Sequence, residues 1–452
     1  MRAPIANRWT PFGLDRDPFF QNELSASDEA LYAAETFFVG RQDELERVAT
    51  TVGSGTSSCT VIEGDAGVGK TSFVNTLKAR LAAGGVLTHE NPIRVLDDTS
   101  FHTLVTEILR TLLAIRSTQL DAGTERFRTA SARTEQLWEK VAMIAEGKTH
   151  RGGSVGVPGF SVGTSASTVA PQGTGDRYFD EVQRALADLS ARGRVPVLLH
   201  IDNLENLRDA DLERAATLLR NLRDYLLIPG GHWIVVGKTG VTQDVFEVRE
   251  EVGSITAQPV SLAPLLPGEL RLLLDVRYQA LRRGRRFTPP VELPVAEALY
   301  ARFYGDLRSF LQLLSRAAER ALPADGQTPM SEAMILGAVG ALYRERMTKR
   351  VGEEAFRALE LALRAVAPAT EFRAADLARV AGVSRARATQ VVEKLLEKKV
   401  VRRLRQEESS KYLAPTGETS VALDAILRAG GAAANEPTPS YSRHVPPRRR
   451  GT

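Results

Sequence analysis

The stretch "GDAGVGKT", Gly64 to Thr71, limits the folds open to this chain more than any other feature. It fits G-x-x-x-x-G-K-[ST] without deviation. The apolar run "SSCTVIE" precedes it, and Phe73, Leu77 and Leu81 follow at i, i+4 and i+8, stopping at Gly84-Gly85. Strand, glycine loop and helix in that order build an anion cradle. Glycines let backbone N–H groups turn toward phosphates, and the helix N-terminus adds a favourable dipole. The expected phosphate contacts are Gly64, Asp65, Ala66, Gly67, Val68, Gly69, Lys70, Thr71 and Ser72. Lys70 supplies a point charge to the β- and γ-phosphates and the Thr71 hydroxyl ligates Mg²⁺. ATP or ADP with Mg²⁺ is therefore the expected cofactor.

Given that loop, "VPVLLHIDNLENL" gains a meaning. Leu198, Leu199 and Ile201 bury a strand that delivers Asp202, the second metal-associated group. His200 reads as a half-buried histidine with satisfied nitrogens. Asn203 stands where a catalytic glutamate is common, and the next carboxylate is Glu205. An amide orients water but accepts no proton as a carboxylate does, so hydrolysis is expected to be slow. Glu205 has two readings, a substitute base or a structural residue of the following helix.

At 452 residues the chain exceeds one compact core. Strands alternating with helices from about residue 39 to 262 predict an α/β class domain, a parallel sheet sandwiched by helices. Residues 1–38 read as a Pro- and Phe-rich N-terminal extension. Residues 151–175 are Gly-, Ser- and Thr-rich. Val155, Val157, Phe160 and Val162 about Pro158-Gly159 fit either a hairpin or a flexible insertion. From 263 to 350 the pattern is all-helical, 351–415 is a smaller helix-rich module, and 416–452 reads as a disordered tail.

The formal net charge of +4 permits an anionic partner without demanding one. The single cysteine, Cys59, allows no internal disulfide and reads as a small buried hydrophobe. The N-terminus lacks a signal-peptide core, and no run approaches the roughly 18 apolar residues of a membrane span. A cytoplasmic protein with no membrane association is expected.

A family resemblance then joins these motifs. "FFVGRQDELERV" resembles the opening motif of AAA+ ATPases, which implies that Val39, Gly40 and Arg41 lie near the adenine. "WIVVGKTG" stands in the sensor 1 position, with Lys238 and Thr239 as candidates, although the usual polar residue directly at the strand end is absent. "FYGDLRSFLQLL" resembles the Gly-Asp-x-Arg sensor 2 helix of the initiator clade, the origin-recognition and replication-licensing ATPases. The resemblance implies that Arg308 reaches the γ-phosphate and that Arg249 in "FEVREEV" is a finger for a neighbouring subunit, giving self-association through the ATP interface. An ordinary surface ion pair is the other reading of Arg249. "RAADLARVAGVSRARATQVVEKLLE" has a helix–turn–helix layout. By likeness to that clade it opens a winged helix, with Arg385 and Arg387 at the reading helix and Arg402, Arg403 and Lys411 on the wing.

The expected function is an ATP-binding, slowly hydrolysing switch that associates with double-stranded DNA through this module. Many winged helices bind proteins instead, so a protein partner stays open. The alternative is a bacterial ATPase that regulates transposition or antiviral defence by nucleotide-dependent assembly with a nuclease, integrase or signalling protein.

Overall fold

The computed structural model describes residues 7–27, 30–96, 98–124, 131–146, 178–191, 194–204, 217–218, 220–240, 259–367, 371–407 and 410–424. The expectations for 151–175, Glu205 and Arg249 lie outside them. The chain divides into a larger unit, Leu14–Phe287 with Gly305–Arg308, and a second unit, Met1–Gly13 with Thr288–Tyr304 and Ser309–Thr452.

The larger unit carries α1 (Ala34–Phe37), α2 (Gln42–Ser54), β1 (Ser58–Glu63), α3 (Lys70–Ala83), β2 (Leu87–Thr88) and β3 (Ile93–Arg94). After these come α4 (Phe101–Asp121), α5 (Ala132–Ala145), α6 (Phe179–Leu189), β4 (Val197–Asp202), α7 (Arg223–Leu226), β5 (Gly231–Gly237), β6 (Val260–Ser261) and α8 (Pro267–Ala280). The strands run in the order β2-β4-β5-β1-β6, with β3 also on β4, and every described pairing is parallel. Parallel sheets are covered on both faces, and this one is. Cys59, Val61, Leu199, Ile201, Trp233 and Val235 share one core with α4, α5 and α6. On the other face Ile62, Leu198, Ile234 and Val236 pack with Leu45, Val48, Phe73 and Leu77 of α2 and α3. Cys59 is buried there as expected, and burial pushes its thiol up to about 12. The stretch before α4 carries two short strands, β2 and β3, separated between Thr88 and Ile93 by the sequence "HENP".

The segment ahead of α2 is a strap, integral to the larger unit. Leu14, Phe19, Phe20 and Leu24 are buried, and Leu14 bridges to Arg282 as an isolated antiparallel pair. Arg277 of α8 is buried beneath it and donates Nη1 to the carbonyls of Pro18 (3.0 Å) and Phe20 (2.9 Å). Its guanidinium lies 3.9 Å from the Phe20 ring centroid, a cation–π contact made strong by desolvation. Burial draws Arg277 down to about 10 while Asp17 holds its charge. These contacts fasten α8 to the larger unit, which runs on to Phe287.

The second unit holds α9 (Leu293–Arg302), α10 (Leu307–Ala321, whose first two residues group with the larger unit), α11 (Glu332–Val351) and α12 (Glu353–Val366). It ends with α13 (Ala374–Ala381), α14 (Arg385–Glu397), β7 (Val401–Glu407), β8 (Ser410–Pro415) and α15 (Gly417–Ala422). Gly382, with φ 66°, ends α13, and the Ser384 hydroxyl caps α14 by accepting from the Arg387 N–H. A helix–turn–helix followed by an antiparallel hairpin results, packed around Phe356, Leu377, Val392, Leu395 and Leu413. The tail does not begin at 416. Thr419 donates to the Val400 carbonyl (2.7 Å), and Val421 and Leu423 are buried.

The strap makes a stability prediction. Phe19→Ala empties a fully buried ring site and should cost about 3–5 kcal/mol of unfolding free energy. Leu31→Ala, at a residue 60% exposed, should change it by less than about 0.5 kcal/mol. Denaturant titration of the two variants checks this.

Candidate functional site

The register of the sheet assembles the site. Ile201 pairs with Val235 and Val235 with Val61, which puts Asp202 level with Ile62, one residue before β1 ends. The glycine loop leaves β1 immediately beyond, so loop and carboxylate share the C-terminal edge, the usual ligand side of parallel α/β sheets. Lys70 is 6% exposed and donates to the Gly64 (2.8 Å) and Asp65 (3.2 Å) carbonyls, which parks its ammonium on the loop itself. Thr71 and Ser72 occupy the first turn of α3 and are half-buried. Thr239 Oγ1 donates to Asp65 Oδ1 (2.9 Å), so this sensor 1 candidate touches the loop, while Lys238 is exposed.

Asp202 is 7% exposed, and burial raises its carboxyl above the ordinary range. The Asn203 N–H, at 2.8 Å from Oδ1, and the charges of Lys70, Arg94 and Lys78 oppose that rise. The three cations favour the ionised carboxylate, the form a divalent ion requires, and Asp202 with Thr71 would hold such an ion. Asn203 itself has φ 74°. Asn and Asp tolerate this left-handed region far better than most side chains. Local backbone geometry thus favours the amide at the position where a glutamate was looked for.

Lys78 was missed in the sequence, yet it lies seven residues after Thr71 and so on the same face of α3. It is fully buried, donates to the His89 and Glu90 carbonyls (both 2.9 Å), and is drawn down to about 8 by burial. The reading of His200 needs correction. It is 3% exposed, and neither ring nitrogen has a partner among the described residues. Burial, helped by Lys78, pushes it well below the ordinary histidine range. It shares the α3 face of β4 with Asp202, two residues on, in surroundings that keep it neutral.

The Gly-Asp-x-Arg motif comes to the loop. A Cβ on Gly67, whose φ is 82°, would fall 1.9 Å from Asp306 Oδ1 and 3.5 Å from Arg308 Cβ. The Arg308 side chain is 62% exposed with Glu23 4.0 Å away, a separation at which its charge stays available. Val39 is buried and Gly40 half-buried. Arg41 was expected near the adenine, but its guanidinium is engaged by the Val68 and Ala263 carbonyls.

In the C-terminal module Arg385, Arg387, Arg403 and Lys411 are exposed. Arg387 lies 3.4 Å from Glu354, and Arg402 lies 4.3 Å from the Tyr304 ring centroid, so it is stacked where free access to phosphate was expected. Among the described residues no helix is long and apolar enough to cross a membrane.

Comparison with known proteins agrees with the site. Residues 38–228 match the family model described as AAA ATPase domain. This stretch, which contains the glycine loop and Asp202, is thus similar to AAA ATPase domains. Similar solved structures come from Aeropyrum pernix and Pyrobaculum aerophilum. The Orc1 protein of Aeropyrum pernix in complex with DNA is 16% identical, over 94% of this chain and 97% of that one, with a TM-score of 0.44. The ORC2 protein of the same organism in ADPNP–ADP complexes is 16% identical over 92% and 99%, with a TM-score of 0.48. Cdc6p of Pyrobaculum aerophilum is 14% identical over 88% and 98%, with a TM-score of 0.40. No curated protein matches the sequence.

Two outcomes test this geometry. Gly67→Ala should abolish nucleotide binding in a fluorescent-nucleotide titration, since its Cβ meets Asp306 and its φ is strained. The second concerns Lys78, whose ammonium binds fewer protons folded than unfolded between about 8 and 10.5. Stability must then rise with pH across that window. Relative to Lys78→Met, the unmodified protein should gain up to about 3 kcal/mol from pH 8 to 10.5 in parallel denaturant titrations.

Proposed function

We propose that the chain is a slowly hydrolysing ATP switch that associates with duplex DNA through its C-terminal module, read as a winged helix. The observation that carries this reading is the placement of Asp306 and Arg308 against Gly67. A group able to sense the γ-phosphate then sits at the cradle, and the helix that bears it leads into the rest of the chain. In this reading Thr71 and Asp202 would hold Mg²⁺, which would supply charge to neutralise the phosphates, while Lys70 and Arg308 stabilise the transferring phosphoryl group and Thr239 reports through Asp65. Water attacks in line without a strong base, because Asn203 only orients it. Arg249 from a second copy completes the site, so turnover rises with self-association.

Arg385, Arg387, Arg403 and Lys411 supply phosphate contacts to DNA. The engagement of Arg387 with Glu354 and of Arg402 with Tyr304 favours a second reading, in which the module docks a protein and the ATPase regulates transposition or defence.

Salt-titrated binding to duplex DNA with ATP, ADP and the Lys70→Ala variant decides between them. The switch requires salt-dependent binding that differs between ATP and ADP and loses that difference in Lys70→Ala. Equal affinity in all states removes the switch, and assembly without DNA affinity selects the second reading. Asn203→Glu should raise turnover by about tenfold or more by supplying a base. It should also cost about 1 kcal/mol of stability through the positive φ. Steady-state phosphate release and denaturant titration measure the two effects.

A further inference from the structure

Arg41 stands at the N-terminal cap of α2 with φ 59°, in the left-handed region that few non-glycine residues adopt. Its guanidinium has two firm partners. Nη2 donates to the Val68 carbonyl at 2.7 Å and to the Ala263 carbonyl at 2.9 Å. Val68 is in the middle of the phosphate loop, and Ala263 is the second residue after β6, on the way to α8. The neighbouring residues tighten the same junction. A Cβ on Gly40 would lie 2.7 Å from Glu269 Oε1, and the other oxygen of Glu269 accepts the Leu266 N–H at 2.7 Å, capping α8. Leu262 N–H in turn donates to the Glu63 carbonyl at 2.7 Å, where β1 runs into the loop.

A trans peptide is rigid and planar, so its C=O and N–H point in opposite directions. The Val68 carbonyl is turned toward Arg41, and the Gly69 N–H of the same peptide is therefore turned away from it. Gly69 has φ 96°, and a Cβ there would lie 3.6 Å from Arg41 Nη1. We infer that Arg41 is a positioning residue that aims the Gly69 N–H into the phosphate cradle and ties the loop to the 263–269 junction, so that nucleotide occupancy is felt at α8. This rests on the ATP-binding reading of the loop. A planar fork holding two carbonyls at once does this more rigidly than a flexible ammonium.

Amide hydrogen exchange on the full chain, without nucleotide and with ADP, tests the brace in Arg41→Ala, Arg41→Lys and Arg80→Ala. Arg80 also joins α3 to α2, through Gln42 at 2.7 Å, but touches neither end of the brace. Without nucleotide, Arg41→Ala should speed exchange of residues 66–70 and 263–266 together, while Arg80→Ala leaves both as they are. With ADP, Arg41→Ala should raise the dissociation constant by about tenfold or more and remove ADP-dependent protection at 263–266. Arg41→Lys should recover part of each. If Arg41→Ala behaves as Arg80→Ala in both segments, or if ADP still protects 263–266, the positioning role is overturned. An unmodified protein that binds no ADP overturns the nucleotide reading instead, with the tie between loop and junction still read from the nucleotide-free exchange.

Discussion

Parallel register between β1, β5 and β4 is the constraint on which the rest depends. Hydrogen bonding from Ser58–His232 to Glu63–Gly237, and from Val197–Gly231 to Ile201–Val235, leaves no freedom in where the strands end. A slip by one residue would turn Asp202 to the opposite face and drive His200 and Leu198 out of the core they share with α3. The edge that carries the candidate site is thus a by-product of sheet burial. Apolar alternation pays for the placement of one buried carboxylate.

Around that carboxylate the charges are arranged to oppose a desolvation penalty. Asp202 alone in so closed a setting would be neutral more of the time than an acid in water. Lys70 and Lys78, at the start and in the middle of α3, and Arg94 of β3 counteract this. Lys78, like Lys70, has its ammonium on backbone carbonyls from outside α3, which fixes its position as well as its charge. Its reduced proton affinity is the cost of that burial.

Much of this was legible in advance. The loop, the strand ending in Asp202, the helix with Phe73 and Leu77 inside, and the turn before Arg385 follow from spacing and glycine placement, which are local signals. Three features were not legible. The positive φ of Asn203 is set by the chain's exit from β4. The burial of His200 comes from packing α3 across the strand, and a lone polar residue in an apolar run gives no sign of whether partners await it. The strap was hidden because Phe19 and Phe20 show no periodicity, and their partners Tyr278 and Arg277 come some 260 residues later. Long-range pairing of that kind leaves no trace in a sequence window.

The strap also separates two notions of a domain that are often treated as one. The family likeness starts at residue 38, whereas the physically closed body starts at Leu14. A chain begun at residue 38 and otherwise whole would keep every phosphate-loop residue. It would nevertheless strand a guanidinium in the interior without its carbonyls, bare the ring of Tyr278, and deprive Asn75 of the Leu24 carbonyl on the outer side of α3. Removal of the first 37 residues alone would therefore leave the phosphate loop whole and the solvent boundary open, and the shortened chain prone to stick to itself.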